Sequence, residues 1–158
     1  MFSEMSALES SGESSAETYS VLWPIDTRWE DNDHYGHVNN VKYYSYFDSA
    51  VNAWLISESR ADIRKMSAIG VVAETSCRYI RELTFPDRLM VGISLTRLGT
   101  RSVTYGLALF RLDDNGNLQA AAIARFVHVY VDRTTRKPTL IPEAIRRVIE
   151  RHLMQNSA

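Results

Sequence analysis

One stretch of the chain concentrates the side chains of proton transfer and nucleophilic attack. Glu30-Asp31-Asn32-Asp33-His34-Tyr35-Gly36-His37-Val38-Asn39-Asn40 holds three carboxylates and two imidazoles within eleven residues. An apolar periodic segment follows directly, so the cluster leads into a helix N-terminus. The unpaired N–H groups and partial positive charge of such a terminus stabilise a developing oxyanion. A carboxylate just before it, Asp33 above all, could attack a carbonyl held on those amides, or activate a water to do so. Gly36 lets backbone pass close to a ligand. The plainer alternative is a charged loop with an Asx cap.

Other reactive side chains are more isolated. His34 and His37 stand three apart, but a zinc site needs more ligands than they supply with Asp33, so no metal is expected. His37 reads as a structural residue bonded to loop backbone. His128 alternates with Phe126 and Tyr130, the pattern of a satisfied core or interface histidine. Cys77 sits mid-strand, the setting of an inert thiol, and Glu74 reads as an outward charge.

The elements that position these groups follow from periodicity. A strand is expected over Tyr19–Trp29, with Pro24 marking it as an edge or bulged strand, and Glu30–Gly36 as a loop. A helix starts at Asn39 or Asn40, a favoured N-cap type, and runs to about Ser57. Its apolar face is Tyr43, Tyr46, Phe47, Ala50, Ala53 and Trp54. Period two then takes over at Val71, Ala73, Thr75, Cys77 and Tyr79. Pro86-Asp87 marks a turn, and a strand over Leu89–Leu98 follows. Leu98-Gly99-Thr100-Arg101 has Gly first, as a type II′ turn prefers. Strands Ser102–Leu112 and Leu118–Asp132 flank the turn Asp113–Asn117, and Pro142 opens a closing helix through His152. Strand, helix, then four strands joined by short turns imply an α+β fold with an antiparallel sheet. Its bare edges favour pairing with a second copy.

Composition bounds the class. The 158 residues, 45% hydrophobic and 23% charged, fit one globular domain. A net charge of -1 lacks the electrostatic footprint of nucleic-acid binding. One cysteine allows no disulfide within the chain, and no apolar run approaches the roughly 20 residues of a membrane helix. Residues 1–18, rich in Ser and Glu, read as a disordered tail without a targeting segment. A cytoplasmic domain over residues 19–158 is expected.

Asp33-His34-Tyr35-Gly36-His37-Val38-Asn39-Asn40-Val41-Lys42-Tyr43 resembles the signature of hotdog-fold thioesterases of the 4-hydroxybenzoyl-CoA thioesterase-like superfamily, in the acyl-CoA thioesterase branch. The likeness extends from about Tyr19 to Pro142, through Tyr79-Ile80-Arg81-Glu82-Leu83, Arg97-Leu98-Gly99-Thr100-Arg101-Ser102 and Val131-Asp132 with Pro138 after it. The resemblance implies a five-stranded antiparallel sheet wrapped around one long helix. It makes Asp33 the catalytic carboxylate, as nucleophile or general base, and puts the Asn40 amide on the thioester carbonyl. It places active sites at a dimer interface, in dimers or dimers of dimers, and requires no cofactor. The substrate is an acyl-CoA, with Gly36, His37, Asn39 and Tyr43 lining the site. Arg101-Ser102 leads the basic residues expected at the coenzyme A phosphates, with Arg97, Arg133 and Arg136 behind. A thioester suits so modest a catalyst, because thiolate leaves without a general acid. Two alternatives stay open: an acyl-thioester hydratase or dehydratase, with Asp33 and His37 as its proton-transfer pair, and a non-catalytic acyl-CoA-binding module.

Overall fold

The computed structural model describes residues 14–154, and the architecture grows from the cap of its longest helix. Asn39 is extended (φ -58°, ψ 134°), and its side chain accepts the Val41 amide. That satisfies one orphan donor of the first turn and starts helix α1, Asn40–Ser59. No Gly or Pro interrupts it. It ends where Arg60 turns left-handed (φ 54°, ψ 17°) and returns its amide to the Ile56 carbonyl. The buried face is Tyr43, Tyr46, Phe47, Ala50, Val51, Trp54 and Leu55. Val51 and Leu55 join the expected face, while Ala53 is only half-buried.

Five strands cover that face: β1 (Val21–Asp26), β2 (Ala68–Tyr79), β3 (Arg88–Leu98), β4 (Ser102–Leu112) and β5 (Leu118–Asp132). They form one antiparallel sheet in the order β1-β3-β4-β5-β2. Val91, Ile93, Tyr105, Leu107, Ala124 and Phe126 pack with α1 in the main core. Each large apolar side chain buried there contributes about 1.5–3 kcal/mol. A second helix, α2 (Glu143–Leu153), adds Ile145, Val148, Ile149 and Leu153 to this core.

Several expectations need correction. The first strand is shorter than Tyr19–Trp29, and a 3-10 turn at Trp29–Asp31 follows it; Pro24 does lie on an edge strand. β2 is not joined to β3 by a hairpin. Residues 80–87 cross the end of the sheet, and β2 pairs with β5 at the far edge. Gly99 has no positive φ, so the β3–β4 connection is not a type II′ turn; its amide closes the loop on the Ser102 carbonyl instead (2.9 Å). Pro142 occupies the N-cap of α2 rather than its first turn. Most of the expected tail, residues 1–13, lies outside the described residues. Within the rest, Ala16–Thr18 forms a 3-10 turn and Tyr19 is buried edge-on against Phe110 at 5.7 Å. Gly92 permits this approach, since a Cβ there would stand 2.6 Å from Tyr19 Cγ.

Candidate active site

Residues 32–38 form a tight loop ahead of α1. The Asp33 amide donates to the His37 carbonyl (2.9 Å) and the Gly36 amide to the Asp33 carbonyl (3.1 Å). Gly36 takes φ +83° with nothing within 4 Å of a hypothetical Cβ, so backbone shape rather than space requires glycine. The 80–87 crossover grips the loop from outside. Thr84 Oγ1 donates to the Gly36 carbonyl (2.9 Å), the Phe85 amide to Asn32 Oδ1 (3.1 Å) and the Val38 amide to the Leu83 carbonyl (2.7 Å).

Asp33 is half-buried. Its Oδ1 accepts the Tyr35 amide at 2.9 Å, while Oδ2 has no hydrogen bond among the described residues. Asn39 is committed to capping and gives its own amide to the Asp31 carbonyl (2.9 Å). The Asn40 amide, on the exposed first residue of α1, has no partner among the described residues, as expected at a helix start. Tyr79 of β2 donates to the Asn40 carbonyl (3.0 Å). Tyr43 is buried, donates to the Arg81 carbonyl (3.2 Å) and meets the Tyr79 ring edge-on at 5.0 Å. Burial pushes the Tyr43 hydroxyl up to about 12.

The carboxylate the fold buries is Asp31, which the sequence offers only as a neighbour of Asp33. It is 4% exposed. Oδ2 accepts the Arg28 amide (2.8 Å) and the Tyr46 hydroxyl (2.5 Å), and Lys42 Nζ lies 3.7 Å from Oδ1. Burial, then the bond to Asp31, raises the Tyr46 hydroxyl well above its ordinary value. Asp31 thus ties the loop that carries Asp33 to the second turn of α1. Two acids spaced two apart, with a Tyr and a Lys beyond, are the only sequence signal for this tie.

The His37 ring contacts Glu82 (3.2 Å) rather than loop backbone, a correction that follows from the crossover passing beside it. It does not pair with Asp33, as a hydratase dyad would require. His128 is buried as expected, but its Nε2 has no partner; it faces aromatic neighbours, with Tyr105 edge-on at 5.3 Å. Cys77 is half-buried, and burial raises its thiol pKa. Glu74 is exposed and pairs with Arg125 at 3.2 Å.

The single chain does not bring Arg101 and Ser102 to Asp33. The Asp33 loop adjoins the crossover that leads into β3 at Arg88, whereas Arg101 follows Leu98 at its other end. Ten residue steps of strand separate those ends, about 33 Å. Arg97 is exposed on β3, and Arg136 lies in a tight turn at φ 62°. Arg133 is engaged, donating to the Ile63 and Met66 carbonyls at 2.8 Å each. Asp33 lines none of five clefts delineated on the isolated chain. Among the described residues, no group of three or more His, Cys, Asp or Glu is placed to hold a metal ion, and no helix is long and apolar enough to cross a membrane.

The profile of the Thioesterase-like superfamily matches residues 27–149, from just before the Asp31 anchor into α2. The chain belongs to this superfamily. Its thioesterase-like architecture recurs in solved structures. The PA5185 protein of Pseudomonas aeruginosa strain PAO1 is 45% identical, with a TM-score of 0.81 over 87% of this chain and 94% of that one. A thioesterase of Thermus thermophilus, solved with coenzyme A and zinc, is 28% identical, with a TM-score of 0.72 over 88% and 98%. A 4-hydroxybenzoyl-CoA thioesterase variant bound to 4-hydroxybenzoyl-CoA shares the fold at 14% identity and a TM-score of 0.69, over 81% of this chain and 96% of that one. Among curated proteins, YsmA of Bacillus subtilis (strain 168) is 24% identical over 87 residues, 55% of this chain and 58% of YsmA. The thioesterase-like chain therefore has the hotdog architecture, an antiparallel five-stranded sheet around one long helix.

Proposed function

We propose that this chain hydrolyses acyl-coenzyme A thioesters to a free carboxylic acid and coenzyme A. The observation that carries the reading is the open Asn40 amide at the head of α1, next to a loop whose Asp33 keeps one carboxylate oxygen unbonded. A thioester carbonyl oxygen on that amide gains charge as the acyl carbon is attacked. The amide is already oriented, so stabilising the oxyanion costs no reorganisation. Asp33 either attacks the carbon or takes a proton from the attacking water. In the first case the C–S bond breaks to leave an acyl–Asp33 anhydride, which water hydrolyses to the free acid and restored Asp33. In the second the water oxygen bonds the acyl carbon as the C–S bond breaks. In both the thiolate recovers a proton that water gave up.

Asp33 lines none of the five clefts described, and Arg101 and Ser102 lie far from it, which supports a site completed by a second protomer. β2 provides the joining edge. It pairs with β5 on one side only, and Gly70–Ser76 are exposed. A homodimer or dimer of dimers formed there would bring a partner's surface to Gly36, His37, Asn39 and Tyr43. The coenzyme A bound by the 28%-identical Thermus relative supports the same ligand class here.

The test is thiol release from a panel of acyl-CoA substrates by the wild type and Asp33→Asn. The variant should fold normally and lose about 10²–10⁴-fold in turnover. Near-normal turnover would reject Asp33. Hydration of an enoyl-CoA without thiol release would instead favour the hydratase, and binding alone a non-catalytic module.

A further inference from the structure

The open Asn40 amide lies between two peptide groups whose other polar ends the fold holds. Ahead of it, the Asn39 carbonyl accepts the Lys42 amide (2.9 Å). After it, the Asn40–Val41 peptide is gripped at both ends by side chains. Asn39 Oδ1 accepts the Val41 amide, and the Tyr79 hydroxyl donates to the Asn40 carbonyl, each at 3.0 Å. Three of the four polar groups of these two peptides are engaged. The fourth is the N–H that the proposed reaction uses.

The bond from Tyr79 is not one that the helix requires. A helical carbonyl takes as its partner the amide four residues on. Its second lone pair can be served by water wherever water reaches it, and Tyr79 is 40% exposed. Nor is the bond local, as the Asn39 cap is. Tyr79 stands 39 residues from Asn40 in sequence, at the end of β2, where it pairs with Ala122 of β5. Its ring meets buried Tyr43 edge-on at 5.0 Å, so sheet and core set the place of the hydroxyl. Partial burial pushes that hydroxyl up to about 12, and it remains a donor throughout the neutral range.

We propose that Tyr79 is a positioning residue, fixing from the sheet the peptide that follows Asn40 and with it the direction of the Asn40 amide. The inference rests on the thioesterase reading and adds a residue to its machinery. An amide stabilises an oxyanion only when it is aimed at the place where charge develops. Helix ends fray, and a first-turn peptide free to rock lets the neighbouring N–H wander. Because the interaction strengthens in the transition state, its loss falls on kcat rather than on KM.

Tyr79→Phe removes the hydroxyl and keeps the ring against Tyr43. With acyl-CoA substrates, kcat should fall about tenfold while KM changes by less than about twofold. The melting temperature should drop by no more than about 4 °C, since water can replace the lost donor without orienting the peptide. The ratio of wild-type to variant kcat should stay constant between about pH 6 and 9, because the bond does not titrate there. A kcat within about twofold of wild type, a loss carried by KM, or a ratio that changes with pH, the mark of an acid or base, overturns the proposal. Should wild type release thiol from no acyl-CoA, the thioesterase reading fails separately. The positioning role is then decided by NMR relaxation of the backbone amides. Order parameters at Asn40 and Val41 of about 0.85 in wild type that fall in Tyr79→Phe support it, and unchanged values reject it.

Discussion

The Tyr46 hydroxyl donates to Asp31 Oδ2 across 2.5 Å, both groups shielded from water. Through that bond the helix holds the loop from which Asp33 projects. The Asp31 carbonyl also accepts the Asn39 amide, so one residue anchors both the helix cap and the catalytic candidate. Tyr46→Phe should destabilise the fold by about 1.5–3 kcal/mol, the range for a hydrogen bond to a charged group. Urea denaturation measures this, and a loss below about 0.5 kcal/mol would show that the bond is not holding the loop. Turnover should fall as well, because a loosened loop no longer fixes Asp33.

Gly36 isolates backbone strain from packing. A Cβ there meets nothing, yet φ is +83°. Gly36→Ala should therefore cost about 1–2 kcal/mol, and Gly36→Asn less, since Asn tolerates left-handed backbone. Thermal unfolding of the two variants gives the order, and equal melting temperatures would contradict it.

The free side of β2 governs assembly on the reading advanced above. Val71 and Val72 are 37% and 47% exposed, apolar side chains on a strand without a second partner. Light scattering should find dimers or larger assemblies. Val71→Lys with Val72→Lys should shift the mass toward the monomer and reduce thioester hydrolysis in parallel. A fully active monomer would contradict a shared site.

Acid stability should depend on His128. Burial holds its imidazole below the ordinary 6.5, opposed only in part by the Asp48 carboxylate. The unfolded chain binds that proton near pH 6.5 while the native state does not. The contribution to stability is thus present above pH 6.5 and lost as pH falls toward the native value, by at most about 1.4 kcal/mol per pH unit. Between pH 7 and 5 the unfolding free energy of His128→Phe should fall less steeply than that of wild type. Parallel slopes would mean that His128 is protonated in the native state.

Local pattern made much of the fold legible. β4 and β5 begin and end where alternation and the Asp113–Asn117 turn place them, and Asn39 caps α1 as its residue type suggests. Partner choice was not legible. Alternation marks β2 as a strand, but a pairing with β5 about fifty residues away leaves no local trace, so the crossover looked like one more hairpin. The site divides the same way. The motif draws attention to Asp33 and Asn40, whereas the burial of Asp31 depends on Tyr46 and Lys42 returning to it from the helix. His128 misled because alternation gives the side of a strand a residue faces, not whether a partner waits there.

The hydroxyl of Tyr79 touches the first carbonyl of α1 from the edge strand. A shift of that rim would therefore be felt one residue into the helix, at the peptide next to the proposed oxyanion donor. On the proposed reading, substitutions along β2, far from any substrate, would retune the chemistry by tugging on a single ring.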